Sequence, residues 1–182
     1  MIGPPTYPLT ITLSTQRMKS NHQTFLIRKA EQADVSLILH FIKELAEYEK
    51  LSHEVVATEA DLERYLFGDE KVAEVLIGYE GELPVGFALF FHNFSTFLGK
   101  PGIYLEDLFV LKEHRGKGYG TKLLVRLAAL AVERNCGRLE WAVLDWNESS
   151  IEFYKSLGAK IMDEWIVNRM SGESLVKLAA KF

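Results

Sequence analysis

The period of the apolar positions changes twice along the chain. Between residues 33 and 67 they recur every three or four residues, from 72 to 111 they alternate or run together, and after 120 the helical spacing returns. "ADVSLILHFIKELAEYEK" (33–50) sets Ile38, Ile42 and Leu45 on one face and predicts a helix, with Asp34 placed to cap its start. "TEADLERYLF" (58–67) predicts a shorter helix, opened by an acidic capping box of Thr58 and Asp61. "TFLIRKA" (24–30) alternates as a short strand ahead of both.

The strand-like middle begins with "VAEVLIGY" (72–79) and "PVGFALFFHNF" (84–94), joined by the hairpin signal Glu80-Gly81-Glu82. A loop punctuated by Gly and Pro (95–102) leads to a strand over 103–111, "IYLEDLFVL". "GTKLLVRLAALAVERN" (120–135) predicts a helix with Leu123, Leu127 and Leu130 at core spacing. "RLEWAVLDW" (138–146) predicts a strand, and "NESSIEFYKSLG" (147–158) a helix opened by Asn147 and closed by Gly158. A last strand (164–170) and a terminal helix from Gly172 complete the order.

This order predicts one α/β domain over 24–182, behind a flexible leader over 1–23. Its mixed central sheet has about six to seven strands, with helices on both faces. The first half is antiparallel, and the two later crossovers bring parallel neighbours into part of the sheet. The leader carries no Asp or Glu, and it reads either as a floppy extension or as a transit peptide. Met18 is an alternative start.

Composition narrows the function. The chain has 182 residues, 48% hydrophobic and 25% charged, which suits one soluble domain with a sizeable core. Its single cysteine, Cys136, leaves no internal disulfide and no cysteine-rich metal site, and makes a cytoplasmic location the default. The five histidines are too scattered for a metal site, so no metal is expected; His114 is read as solvent-facing. A net charge of −4 offers no basic field for nucleic acid, and no apolar run approaches the roughly 18 residues of a membrane helix.

The chemistry concentrates in "LEDLFVLKEHRGKGYGTKLL" (105–124). Alternate glycines let successive backbone N–H groups point inward, and the following helix start adds its unpaired amides and positive dipole end. With Arg115 and Lys117 beside it, such a loop suits a pyrophosphate. It is neither a Rossmann fingerprint, which needs glycine where Thr121 stands, nor a P-loop. Taken alone, it also reads as a glycine-rich turn that binds nothing.

R-x-x-G-x-G between "YLEDLFV" and a leucine-rich helix, followed by "WNESSIEFYKSLGA", resembles the GNAT superfamily of acetyl-CoA-dependent N-acetyltransferases. The resemblance runs from about Phe25 to Lys177. Within the superfamily, "IKELAEYEK", "GKPGIYLEDLFV" and "LDWNESSIEFY" are similar to the spermidine/spermine and thialysine N-acetyltransferase group.

The resemblance implies a strand splayed from its neighbour at the cofactor site, with Leu108, Phe109 and Val110 bonding the pantetheine arm. A backbone N–H of this segment then faces the thioester oxygen. Arg115, Gly116, Lys117, Gly118, Tyr119, Gly120 and Thr121 would surround the pyrophosphate, and Asn147 and Ser150 the lower pantetheine; Asn147 reads equally as a plain helix cap. Tyr154 matches the family's general acid, which protonates the departing thiolate.

Glu106 matches the family's general base. An alkylamine of pKa about 10.4 arrives protonated, so a base must take its proton. Asp107 helps set the acidity of Glu106, binds the amine, or is structural; neighbours on a strand face opposite ways unless a bulge turns one. Tyr48 and Glu49 match positions lining a polyamine channel, though Glu49 also reads as a solvated helix end. Trp141 either borders the acceptor site or packs in the core. The resemblance further implies a homodimer.

Lys117, Tyr119, Pro101-Gly102 and the "MDEWIVNRMSGESL" ending depart from the animal polyamine enzymes. The acceptor therefore stays open between a polyamine or diamine and a thialysine-like amino acid. An enzyme acting on protein lysines or N-termini is the alternative within catalysis. A module that senses acyl-CoA without turnover is the alternative outside it.

Overall fold

The computed structural model describes residues 24–182; the expected leader and Met18 lie outside them. β1 (Phe25–Lys29) is followed by α1 (Val35–Tyr48) and α2 (Glu59–Leu66). Next come β2 (Glu74–Glu80), β3 (Leu83–Ser95) and β4 (Lys100–Val110). After α3 (Tyr119–Glu133) come β5 (Leu139–Trp141), α4 (Glu148–Ser156) and α5 (Gly172–Ala179). The sheet runs β1-β2-β3-β4-β5 in space, with antiparallel pairing from β1 through β4 and the α3 crossover leading to β5.

Local chemistry accounts for most element ends. Thr58 and Asp61 form the expected capping box: the Asp61 N–H donates to Thr58 Oγ1 at 3.2 Å, and the Thr58 N–H to Asp61 Oδ2 at 2.9 Å. β2 turns into β3 through Gly81 and Glu82, with Gly81 at φ 65° as a tight hairpin requires. Asn147 caps α4 by accepting the Ser150 N–H, and Gly158 follows its end at φ 89°.

Asp34 behaves differently from the expectation. Its carboxylate accepts both guanidinium nitrogens of Arg28, each at 2.7 Å, and the Glu31 N–H at 2.7 Å, so it ties β1 to the turn before α1 instead of capping that helix. A bidentate cation outcompetes a single helix amide for a carboxylate.

The core lies on both sides of the meander. Ile38 and Phe41 of α1 and Leu62 and Leu66 of α2 pack with Val75, Ile77, Phe87 and Phe109 from alternate strand positions. The Phe41 and Phe87 rings stack with centroids 5.5 Å apart. Leu76 and Phe90 alternate to the opposite face, where they line a crevice with Leu130 of α3. Leu123 and Leu127 of α3 are fully buried.

Among the described residues the sheet has five strands, not six or seven. The strand expected over 138–146 stops at Trp141, and by Asn147 the chain has turned, its N–H donating to the Leu144 carbonyl at 2.9 Å. The segment 164–170 is irregular despite its alternation. Its hydrogen bonds are local, Trp165 N–H to Met162 O and Asn168 Nδ2 to Ile166 O, and alternation makes a strand only beside a partner.

β4 holds a bulge. Leu89 faces Asp107 but its neighbour Phe90 faces Leu105, which leaves Glu106 as the extra residue. Phe91 therefore pairs with Tyr104 on the same sheet face as Leu89 and Asp107. Without the bulge, Tyr104 and Asp107 would lie on opposite faces.

Candidate active site

The described residues divide into two compact units, one reaching to Glu140 and the other Trp141–Phe182. Trp141, Asn147, Ser150 and Tyr154 belong to the second and every other expected site residue to the first.

The first unit brings three carboxylates together. Asp107 is carried by β4, on the sheet face that packs α1, and Glu49 is the residue that ends α1. Glu106 is exposed at the bulge. Burial, reinforced by the negative charges of Glu106 and then Glu49, pushes the Asp107 carboxyl up to about 7. Burial likewise raises Glu49. Glu49 is thus not the fully solvated helix end that its sequence context allows. A carboxylate poised near neutral pH is a far better proton acceptor than one of ordinary acidity.

Leu108, Phe109 and Val110 continue β4 past the bulge, opposite Ala88, Phe87 and Gly86 of β3. On the other edge, the Ile103 N–H donates to the Arg138 carbonyl at 3.0 Å, which ties the approach to β5 to the beginning of β4. Because β5 is three residues long, Leu108–Val110 run on beyond it.

The glycine loop follows. Gly116 and Gly118 lie at φ 76° and 78°, the left-handed region where L side chains are strained, and open space surrounds the position a Cβ would take at each. Gly118 caps α3, so the amides of Tyr119, Gly120 and Thr121 open the helix with no preceding turn to accept them. These donors, aligned with a positive dipole end, fit a phosphate group.

The cations of this loop are engaged within the protein. Arg115 Nε donates to the Val110 carbonyl at 2.8 Å, and its guanidinium lies 4.3 Å from the Tyr48 ring centre and 5.3 Å from that of Phe109. Tyr48 is accordingly a platform for Arg115. Lys117 Nζ donates to both Glu80 oxygens, at 2.9 and 2.8 Å, and His114 Nδ1 donates to Glu80 Oε2 at 2.6 Å. His114 is therefore mostly buried, not solvent-facing. Sequence reasoning passed over Glu80 because a hairpin already explained it; its distance in sequence from the loop hid the second role.

In the second unit, Asn147 is buried and Ser150 sits in the first turn of α4. Tyr154 packs between aromatic neighbours, its ring centre 4.9 Å from Trp141 and 5.2 Å from Phe153.

Comparison with known proteins gives this geometry a family. Residues 39–159 match the model of the acetyltransferase (GNAT) family. A thialysine N-epsilon-acetyltransferase of Bos taurus is 40% identical over 167 residues, covering 86% of this chain and 98% of its own length. An L-ornithine N5-acetyltransferase of Arabidopsis thaliana is 30% identical, covering 96% of both chains. Among solved structures, an integron cassette protein from the mobile metagenome of V. cholerae superposes with a TM-score of 0.73 at 31% identity, covering 85% of this chain and 97% of that one. With its single α/β domain, glycine loop and bulged fourth strand, the chain belongs to the GNAT family of acetyltransferases.

Proposed function

We propose that the protein transfers the acetyl group of acetyl-CoA to a primary amine of a small cationic acceptor, either a thialysine-like amino acid or a polyamine or diamine. The observation that carries this reading is the Glu49–Glu106–Asp107 cluster, which offers several negative charges to an acceptor with more than one ammonium. Relatives named for thialysine, for L-ornithine and for spermidine/spermine point the same way.

Acetyl-CoA supplies an activated acyl group as its thioester. The residues that would hold it are the backbone groups of Leu108–Val110 for the pantetheine arm and the amides of Gly116–Thr121 for the pyrophosphate, with Asn147 and Ser150 for the lower pantetheine. The open left-handed backbone at Gly116 and Gly118 and the unpaired amides of α3 fit that group. Lys117 lies beside them. Arg115 contributes by holding the loop to β4 through Val110.

The acceptor's ammonium must lose a proton before it attacks. Glu106 and Asp107 are neighbours on β4, and the negative charge of Glu106 adds to the burial that raises Asp107. Glu106, exposed at the bulge, meets the ammonium and is the base expected from the family; Asp107, pushed up to about 7, is poised to take up that proton at neutral pH. Tyr154 donates a proton to the departing thiolate, and Trp141 supports its ring.

We further assign the protein to the cytoplasm and to a homodimer. Trp165, Ile166, Val167 and Val176 are exposed apolar side chains, of the kind that a second copy would cover. The test is thiol release from acetyl-CoA against thialysine, lysine, ornithine, spermidine, spermine, diaminopropane and a lysine peptide. The reading expects turnover with a small diamine or amino acid over the peptide; turnover of the peptide alone contradicts it.

A further inference from the structure

The glycine loop has almost no packing of its own. Among the described residues, chain neighbours apart, no atom lies within 4 Å of a Cβ placed at Gly116 or Gly118, so packing does not set its curl. What fastens it lies at its ends. On one side Arg115 bonds the Val110 carbonyl and rests on Tyr48 and Phe109. On the other, three groups converge on a single carboxylate at the end of β2, Glu80.

His114 Nδ1–H reaches it at 2.6 Å and Lys117 Nζ at 2.8 and 2.9 Å, and the Tyr119 hydroxyl also donates to it. The Glu80 side chain is 11% exposed and that of His114 13%. The Tyr119 ring, buried, stacks on Phe25 of β1 with centroids 4.1 Å apart and nearly parallel planes. Gly78 keeps room for that ring pair, since a Cβ there would meet the Phe25 ring edge at 2.6 Å. The loop residue before Gly116's neighbour Arg115, the residue between the two glycines and the first residue of α3 are thus all bound to one strand end.

A carboxylate repels a pyrophosphate at this position, so Glu80 does not recruit the anion. Its three donors make it an anchor. We propose that Glu80 is a positioning residue for the cofactor: by binding His114, Lys117 and Tyr119 together, it holds Gly116–Gly118 in the curl that receives the pyrophosphate and keeps the Lys117 ammonium beside it. This rests on the assignment of the loop to acetyl-CoA made above. The Glu80 carboxyl, held down to about 2 chiefly by Lys117 and Tyr119, agrees with a carboxylate that stays ionised for this purpose.

The experiment is calorimetric titration of the full chain with CoA, together with steady-state kinetics, for the wild type, Glu80→Ala and Glu80→Gln. Glu80→Ala is expected to raise the Kd for CoA and the KM for acetyl-CoA tenfold or more, while kcat at saturating acetyl-CoA and the KM for the amine stay within about twofold. Glu80→Gln keeps an oxygen for His114 and Tyr119 and is expected to recover part of the loss. It also serves as the measured variant if Glu80→Ala does not fold. Adding His114→Ala to Glu80→Ala should cost little more, because both act through one anchor. Wild-type affinity for CoA in both Glu80 variants overturns the proposal while leaving the proposed function intact. A fall in kcat with KM unchanged also overturns it. A wild type that fails to bind CoA overturns the proposed function and this inference with it.

Discussion

Two carboxylates of the first unit, Glu80 and Asp107, show how environment divides one chemistry into two tasks. Glu80 is surrounded by donors from Lys117, Tyr119 and His114, and its carboxyl is held down to about 2. Asp107 is half-buried beside two like charges, and its carboxyl is pushed up to about 7. The first is a permanently ionised anchor; the second is poised to exchange a proton at neutral pH. Their contributions to stability carry opposite signs. That of Glu80 is present above the ordinary carboxylate range and is lost as pH falls from about 4.5 towards 2. That of Asp107 is a cost that grows as pH rises.

The largest effect expected from this contrast is on catalysis. Asp107→Asn should lower kcat/KM at pH 7 on the order of 10³-fold, within the range for loss of a general base. Steady-state rates with the preferred amine measure it, and a loss below about threefold would assign Asp107 to structure alone.

The same variant sharpens the comparison through stability. Between pH 3.8 and about 7 the folded protein keeps a proton on Asp107 that the unfolded chain has released, so stability falls as pH rises through this window. Three pKa units amount to about 4 kcal/mol at most. Asp107→Asn should therefore be more stable than the wild type at pH 8 and indistinguishable from it at pH 4. Urea unfolding at the two pH values reads the difference, and an equal shift at both would break the argument.

Tyr154→Phe tests the acid side of the reaction in the second unit. The ring and its packing on Trp141 and Phe153 stay, while the proton donor goes. The expected result is a fall in kcat of about 10², with acetyl-CoA binding by calorimetry unchanged. The smallest effect belongs to the loop. Gly118→Ala meets no steric clash but must hold φ 78°, at a cost of about 1–2 kcal/mol. If that strain is relieved by uncurling the loop, the KM for acetyl-CoA rises about tenfold. An unchanged KM would mean that the loop's shape does not govern cofactor affinity.

How much of this was legible in the residues depends on the range of the interaction. The Thr58–Asp61 box, the Gly81 hairpin, the Asn147 cap and the glycine loop are local, and each was read from a few neighbouring letters. The bulge at Glu106 was not, although its need was: "LEDL" forces Glu106 and Asp107 apart until the register against Leu89 and Phe90 is known. Asp34 looked like a cap because Arg28's claim on it is a tertiary contact. Glu80 carries no signal linking it to Lys117, 37 residues on. The alternation over 164–170 suggested a strand, but periodicity describes a face and does not supply the partner that a strand needs. The family resemblance came from four short blocks in order, and the charge network between them lay outside its reach.

The central claim is that a carboxylate pair in β4 deprotonates an amine for acetyl transfer. The measurement that tests it most directly is the pH dependence of kcat/KM for acetylation of the best amine, from pH 5 to 9, in the wild type and in Asp107→Asn. The account predicts a wild-type limb that rises through an ionisation near 7 and disappears in the variant. A variant that retains the same limb and the same plateau would contradict it.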